Sequence, residues 1–457
     1  MKLDVQINGN TVAQLYQEGG DYWLQYGANA KPTDFISLTM PVERKPWGWP
    51  RDLHPFFRQN LPEGYVLNVI REEFGPYMDG TDMSLLAVVG GMGIGRVTVT
   101  PEGILPGPAL QPLHLGALLT GTKTSKYFAD LVRTYARAAI SGAVPKFIAP
   151  ESTIIDPEFP LGKSTIRTSR HIVKGSDENT PFLGFNEFYS MQVLARIEDI
   201  RVAKTKMSQD GRILVVERFD VDGGGRPHHG LEDACSLLGK PPTEKYTPSM
   251  ESVVKAISSY LPGSKIQKEL KQLGWLMLAN FVVRNADFHS KNIAVYYTSI
   301  DDVAFTPAYD VVTTQAYPRF ADRTPGLSIE GRKTWTPGKS IEKFFSTRLS
   351  ITHREYAAML EALCDSAVGV GKEVAQAAKN EPQWQYIAKQ MLHAWNEGIQ
   401  SLRNPKPSVP VGGLTPVIES AGFSDPEPPI GTRKVVGRSE LLARSKRNNK
   451  SDFGDFR

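Results

Sequence analysis

The chain has 457 residues, 40% hydrophobic and 22% charged, with a formal net charge of +4. This is ordinary globular material, long enough for two or three domains and only mildly basic, so anionic partners are permitted but not demanded. Cys235 and Cys364 stand far apart without CxxC spacing, which gives neither a disulfide framework nor a zinc site. The N-terminal MKLDVQINGN has no apolar signal core, and no run approaches the roughly 18 apolar residues of a membrane helix, so a soluble cytoplasmic protein with no membrane contact is expected.

Residues 1–110 read as a strand-rich unit. LDVQI, TVAQLYQ and DYWLQYG alternate as strands, RDLHPFFRQNLPEGYVLNVIREEFG gives a loop and a helix, and SLLAVVGGMGIGRVTVTP ends in a strand. PEGILPGPALQP marks a linker. Residues 115–225 are mixed, with strands at VPKFIAP, RHIVK and ILVVERFDV and a helix at FNEFYSMQVLARI. Residues 226–402 are mainly helical; Thr352 and Glu355 form a capping-box pattern opening a helix to about Lys379, and another helix runs from about Pro382 to Leu402. Residues 403–457 are rich in Pro, Gly and Ser and then in Arg and Lys, which reads as a disordered linker and basic tail.

Three local patterns lead nowhere. LGKST lacks the first glycine of a P-loop, whose place is taken by Pro157. GGMGIG is followed by a strand rather than a helix, so a tight hairpin is expected instead of a phosphate site. His228 and His229 are adjacent and lack zinc-site spacing, which makes them loop residues.

The stretch NADFHSKN (285–292) lies between the helical LGWLMLANFVV and the strand IAVYY, a polar loop held by two apolar elements. Asp287 and Asn292 fit D-x-x-x-x-N, the kinase catalytic-loop spacing, in which the aspartate accepts the proton of the attacking hydroxyl and the asparagine holds magnesium. That spacing is weak alone. Asp310, in FTPAYDVV, stands where a second magnesium-binding carboxylate is expected, although the usual DFG is absent. Lys174 ends the strand RHIVK, and Glu187 in the following helix can orient it. VVERFDV offers a hinge at Glu217 and Phe219. The order Lys174, Glu187, Glu217, Asp287, Asn292, Asp310 matches the order of kinase parts.

NLPEG, GGMGIGRVTV, ISGAVPK, HIVK, NEFYSMQVLA, VERFD, LEDACSLLGKPPTEKY, NADFHSKN and TPAYD together resemble the HipA family of bacterial serine/threonine kinases, the toxins of HipA–HipB toxin–antitoxin pairs. The resemblance runs to about residue 400. It implies an α/β (α+β) fold with a protein-kinase-like two-lobed core behind an N-terminal strand-rich subdomain, the N-lobe in 115–225 and the C-lobe in 226–402. It implies ATP and magnesium (Mg2+) as cofactors, Asp287 as base, Asn292 and Asp310 as metal ligands, Lys174 at the nucleotide phosphates, and Glu217 with Phe219 along the adenine. His289 is expected to be structural beside the nucleotide, and Lys291 to meet the transferred phosphate. The implied partners are a HipB-like helix-turn-helix antitoxin, operator DNA through that antitoxin, and a protein substrate such as an aminoacyl-tRNA synthetase.

Two departures bear on this resemblance. Relatives often carry S-x-S-G or S-x-A-G before GAVPK, whereas Ala139 occupies the first place here and Ser141 is the remaining serine, so weak or absent autoinhibition by phosphorylation is expected. The segment beyond residue 403 has no counterpart in the family core. Two other readings stay open: a catalytically idle co-repressor acting with a DNA-bound antitoxin, and a small-molecule kinase, since D-x-x-x-x-N serves both kinase classes.

Overall fold

The structure is a computed structural model that describes residues 1–62, 67–68, 70–72, 75, 78–104, 115–120, 163–167, 170–176, 180–321, 326–333, 335, 338–403 and 413–423. The first sheet has the order β4-β3-β2-β1-β5 and is antiparallel throughout. Its strands are β1 (Lys2–Ile7), β2 (Asn10–Glu18), β3 (Asp21–Tyr26), β4 (Trp47–Trp49) and β5 (Val97–Pro101). Asn8 and Gly9 carry φ of 50° and 81°, and Gly19 and Gly20 carry 62° and 89°. Both are two-residue turns with positive φ throughout, the geometry whose twist matches that of the strands it joins. The alternation of β3 buries Tyr22, Leu24 and Tyr26 on one face.

The second sheet, β6-β7-β9-β8, comprises β6 (Lys163–Arg167), β7 (His171–Ser176), β8 (Thr205–Met207) and β9 (Ile213–Glu217). Alternate residues of β9 serve two cores. Ile213 and Val215, with Val173 of β7, join the core of the N-terminal sheet, whereas Leu214 and Val216 join the main core with the Leu183–Ala195 helix. A sheet covered on both faces carries a continuous apolar run, which is why ILVV shows no polar alternation.

A third sheet, β10-β11-β12, holds Gly230–Asp233, Ala294–Tyr297 and Val303–Phe305. Beneath it runs the Ile266–Val282 helix, buried continuously from Gln272 to Val282, and this helix delivers the chain into NADFHSKN. Gly398 of the Gln385–Arg403 helix packs against its end; a Cβ there would lie 2.2 Å from the Val282 carbonyl oxygen. The expected capping box is present: Thr352 Oγ1 accepts from the Glu355 N–H and Glu355 Oε2 accepts from the Thr352 N–H, opening a helix over His353–Asn380. No helix among the described residues is long and apolar enough to cross a membrane.

Two expectations are corrected. GGMGIG is not a hairpin: Asp82–Val89 is a helix that runs into a 3-10 turn at Gly90–Met92, and β5 pairs with β1. The glycine is required because a Cβ at Gly90 would lie 2.6 Å from the Val99 carbonyl. The segment after residue 403 is not all linker, since Thr415–Ala421 is a helix and Leu414 is fully buried, its N–H bonded to Asn396 Oδ1 at 2.8 Å. VPKFIAP, most of the 101–112 linker and the basic tail lie outside the described residues.

The N-terminal sheet is fastened to the third sheet by buried polar groups. Glu232 accepts from Ser37 Oγ at 2.8 Å, the Leu38 N–H at 2.6 Å and the Tyr297 hydroxyl at 2.7 Å. Arg96 donates to the carbonyls of Phe35 and Thr298, both at 3.0 Å, with its guanidinium over the Phe35 and Tyr297 rings. Burial pushes the Glu232 carboxyl up to about 7. The folded state therefore holds a proton that the unfolded chain releases above the ordinary carboxylate range, so this contribution is present below pH 4.5 and fades as pH rises through about 7. Denaturant midpoints at pH 5 and pH 8 should show the parent losing up to about 3 kcal/mol relative to Glu232→Gln, whose side chain cannot titrate. Identical pH slopes for the two proteins would refute this assignment.

Candidate active site

The polar loop starts from a forced turn. Arg284, just past the Ile266–Val282 helix, has φ of 57°, a left-handed conformation that redirects the chain. Asn285 then acts as a local brace. It is 1% exposed; its Oδ1 accepts from the Asp287 N–H at 2.9 Å and its Nδ2 donates to Asn280 Oδ1 at 2.7 Å and toward the Asp310 carbonyl at 3.4 Å. Thr314 Oγ1 accepts from the Ala286 N–H at 2.7 Å and donates to the Arg284 carbonyl at 3.1 Å. The backbone of the loop is thus held from the helix on one side and from the 310–314 segment on the other.

Four of the residues singled out in the sequence meet in one chain of contacts. Lys174 Nζ lies 2.5 Å from Glu187 Oε1 and 2.6 Å from Asp310 Oδ1. Asn292 Nδ2 donates to Asp310 Oδ2 at 2.6 Å, while its Oδ1 accepts from the His289 N–H at 3.1 Å. Asp310 itself has φ of 59°, unusual for an aspartate, and this turn aims both carboxylate oxygens inward. The Glu187 side chain is 2% exposed. Its neighbour Asn186 fixes the helix: Nδ2 donates to the Thr313 carbonyl at 2.9 Å, and Oδ1 accepts from the Thr313 N–H at 2.8 Å.

Asp287 lies on the same loop. Its Oδ1 accepts a short hydrogen bond from the Tyr246 hydroxyl, and His289 Nε2 stands 3.9 Å from that oxygen. Burial pulls His289 down to about 4, despite the opposing pull of the Asp287 carboxylate, so the imidazole is neutral at pH 7. Lys291 lies in the one-turn 3-10 helix Ser290–Asn292, its carbonyl accepting from the Tyr309 hydroxyl at 2.9 Å. The Phe219 ring sits 5.9 Å from that of Tyr309, which brings the end of β9 toward the loop. The Glu217 side chain is 53% exposed, and its N–H donates to the Lys204 carbonyl at 2.9 Å. His228 and His229 lie in the turn before β10. Ser141 lies outside the described residues.

Sequence reasoning assigned no part to Tyr246, Asn285, Asn186 or Thr313. Tyr246 closes LEDACSLLGKPPTEKY and Asn285 opens NADFHSKN, so both lie in segments quoted for the family resemblance. Asn186 opens NEFYSMQVLA, also quoted for the resemblance, but its partnership with Thr313 spans 127 residues and leaves no local pattern.

The donor set of Asp310 and Asn292 suits a hard cation: one carboxylate and one amide are adjacent, and no cluster of three or more His, Cys, Asp or Glu side chains fit for a metal occurs among the described residues.

The HipA N-terminal domain is matched over residues 3–100, and the HipA-like C-terminal domain over residues 138–371. The Sinorhizobium fredii protein named Putative kinase Y4mE is 29% identical over 357 residues, spanning 72% of this chain and 80% of its own length. A Haemophilus influenzae protein, also named Putative kinase, is 25% identical over 199 residues, spanning 41% of this chain and 55% of its own. Among solved structures, HipA of Shewanella oneidensis MR-1, in a complex with HipB and its operator DNA, superposes with a TM-score of 0.59 at 18% identity, covering 88% of this chain and 97% of its own. With both of the family's domains matched in order along one chain, the protein belongs to the HipA family and has its protein-kinase-like fold.

Proposed function

We propose that this protein is an ATP- and magnesium-dependent kinase that transfers the γ-phosphate to a serine or threonine hydroxyl of another protein. The observation that carries this reading is the contact chain Glu187–Lys174–Asp310–Asn292, built from four distant segments beside Asp287. An ammonium between two carboxylates is a costly way to join elements, because a well-packed apolar replacement would serve stability as well or better. It makes sense as a pre-set phosphate contact. Lys174 binds the phosphate oxygens while Glu187 keeps its ammonium oriented. Asp310 and the Asn292 amide would hold magnesium, which would neutralise charge on the phosphates; Asn292 would have to turn its amide oxygen away from the His289 N–H to do so.

Asp287 accepts the proton of the acceptor hydroxyl as its oxygen bonds to the γ-phosphorus and the bridging oxygen departs with ADP. Lys291 meets the transferred phosphate. The carbonyl of Glu217 and the N–H of Phe219 take the adenine edge; among the described residues the Phe219 N–H has no other partner. His289, neutral and buried, serves the loop structurally. Because the Shewanella HipA assembles with HipB and operator DNA, we assign this chain a helix-turn-helix antitoxin partner and, through it, operator DNA. Growth arrest through a phosphorylated protein such as an aminoacyl-tRNA synthetase follows from the same reading.

Incubation of the protein with γ-labelled ATP, magnesium and host lysate tests the assignment. Label on serine or threonine of a protein is the expected result, and label recovered solely in a small molecule would replace it with the small-molecule reading. Asp287→Asn should lower transfer on the order of 100- to 10,000-fold while calorimetry shows ATP still bound. Asp310→Asn should instead weaken ATP binding in magnesium and shrink the gain in affinity that magnesium gives, since it removes a ligand of the hard cation. Equal affinities for parent and variant in magnesium would count against Asp310 as a ligand.

A further inference from the structure

The segment Lys245–Tyr246 is bound to the catalytic loop more closely than chain order suggests. The Lys245 carbonyl accepts from the Ser290 N–H at 3.1 Å and from Ser290 Oγ at 2.9 Å. The Tyr246 ring meets the His289 ring edge to face at 5.1 Å between centroids. On another side it presses on Gly326, where a Cβ would lie 2.7 Å from Tyr246 Cδ1 and 2.8 Å from the Phe288 carbonyl. A ring confined in this way delivers its hydroxyl to one place. That place is Oδ1 of Asp287, and among the described residues no hydrogen bond reaches Oδ2.

A carboxylate on a two-bond stem rotates about χ2 unless something pins it. Proton acceptance needs one oxygen within hydrogen-bond reach of the attacking hydroxyl, at a fixed angle. We propose that Tyr246 is a positioning residue for Asp287, its phenol fixing Oδ1 so that Oδ2 faces the acceptor hydroxyl. The inference rests on the kinase reading above. Tyr246 touches neither nucleotide nor acceptor in this arrangement; it acts through the base. The phenol keeps its own proton throughout, and the proton of the acceptor goes to Oδ2 as the new O–P bond forms and ADP leaves.

Tyr246→Phe keeps the ring between Gly326 and His289 and removes only the hydroxyl, so folding is expected to survive. Steady-state kinetics with the labelled acceptor protein should show kcat roughly ten- to a hundredfold lower, with KM for ATP within about twofold of the parent. Should part of the sample unfold, the single-turnover rate per bound ATP isolates the chemical step and carries the same expectation. An unchanged kcat, or a loss carried by KM for ATP, overturns the proposal. Ser290→Ala, which loosens the tie to Lys245 but keeps the phenol, should lower kcat less than Tyr246→Phe does; a larger loss would make the segment a structural strut and overturn the proposal too. A parent that transfers no phosphate at all is a different failure, that of the kinase reading, and it is seen before any variant is compared.

Discussion

Everything at the site is arranged around one ammonium. Lys174 lies in β7 of the second sheet, Glu187 belongs to the helix packed on it, and Asp310 belongs to the segment after the third sheet, so their meeting holds two halves of the core in register. Removing Lys174 would leave two carboxylates without a counter-ion, at a cost of about 3–5 kcal/mol. Side-chain exposures of 13%, 2% and 18% for Lys174, Glu187 and Asp310 put this group within that regime. The same contacts that a phosphate would use therefore also hold the cleft in shape before any phosphate arrives.

The ionic group does not stand alone. Asn186, one residue before Glu187, makes a two-way exchange with the backbone of Thr313, and the Thr313 hydroxyl accepts from Trp395 Nε1 at 2.6 Å. Asn186 and Thr313 are both fully buried. A side-chain amide that satisfies both groups of one peptide unit substitutes for a strand partner and leaves no slack along the helix. An outward swing of this helix would have to break that exchange in a dry interior. Here the N-terminal sheet also covers the rear of β7 and β9 through Val173, Ile213 and Val215, which closes the other direction of movement.

Much of this was legible in the sequence, for physical reasons that differ by element. The strands RHIVK and ILVVERFDV, the latter ending at Glu217, and the helix holding Glu187 carry strong local patterns, and the order of charged residues singled out Lys174, Glu187, Asn292 and Asp310, which the structure brings into contact. The Thr352 capping box is a local hydrogen-bond pattern and fixes a helix start by itself. GGMGIG misled because glycine signals a tight turn without saying which one: here the requirement is the close approach of Gly90 to Val99, a contact with a strand. The 415–421 helix was hidden by composition, since one buried leucine at position 414 decides its docking and no average over the segment registers it. Tyr246 was invisible as a site residue because its meaning is a contact 41 residues away.

The N-terminal unit is also linked to the segment that reaches Asp287. Gln59 donates to the Leu231 carbonyl at 3.0 Å and accepts from the Asp233 N–H at 3.0 Å, occupying the edge of β10 as a strand would. Asp233 caps the short helix Ala234–Leu237 through the Ser236 N–H at 2.7 Å, and the Ala234 N–H reaches the Ile293 carbonyl at 2.8 Å, next to Asn292. Cys235 Sγ, buried and pushed up to about 11, donates to the Lys240 and Pro241 carbonyls and so stays a thiol that folds the following turn back on itself. That turn ends at Lys245 and Tyr246. A path of backbone and side-chain hydrogen bonds thus runs from Gln59 through β10 and the 240–245 turn to the phenol on Asp287. The position of the Asp287 side chain is consequently a property of the docked pair of units rather than of the loop, which gives a physical reason for the N-terminal sheet and the kinase-like core to stay together in one chain.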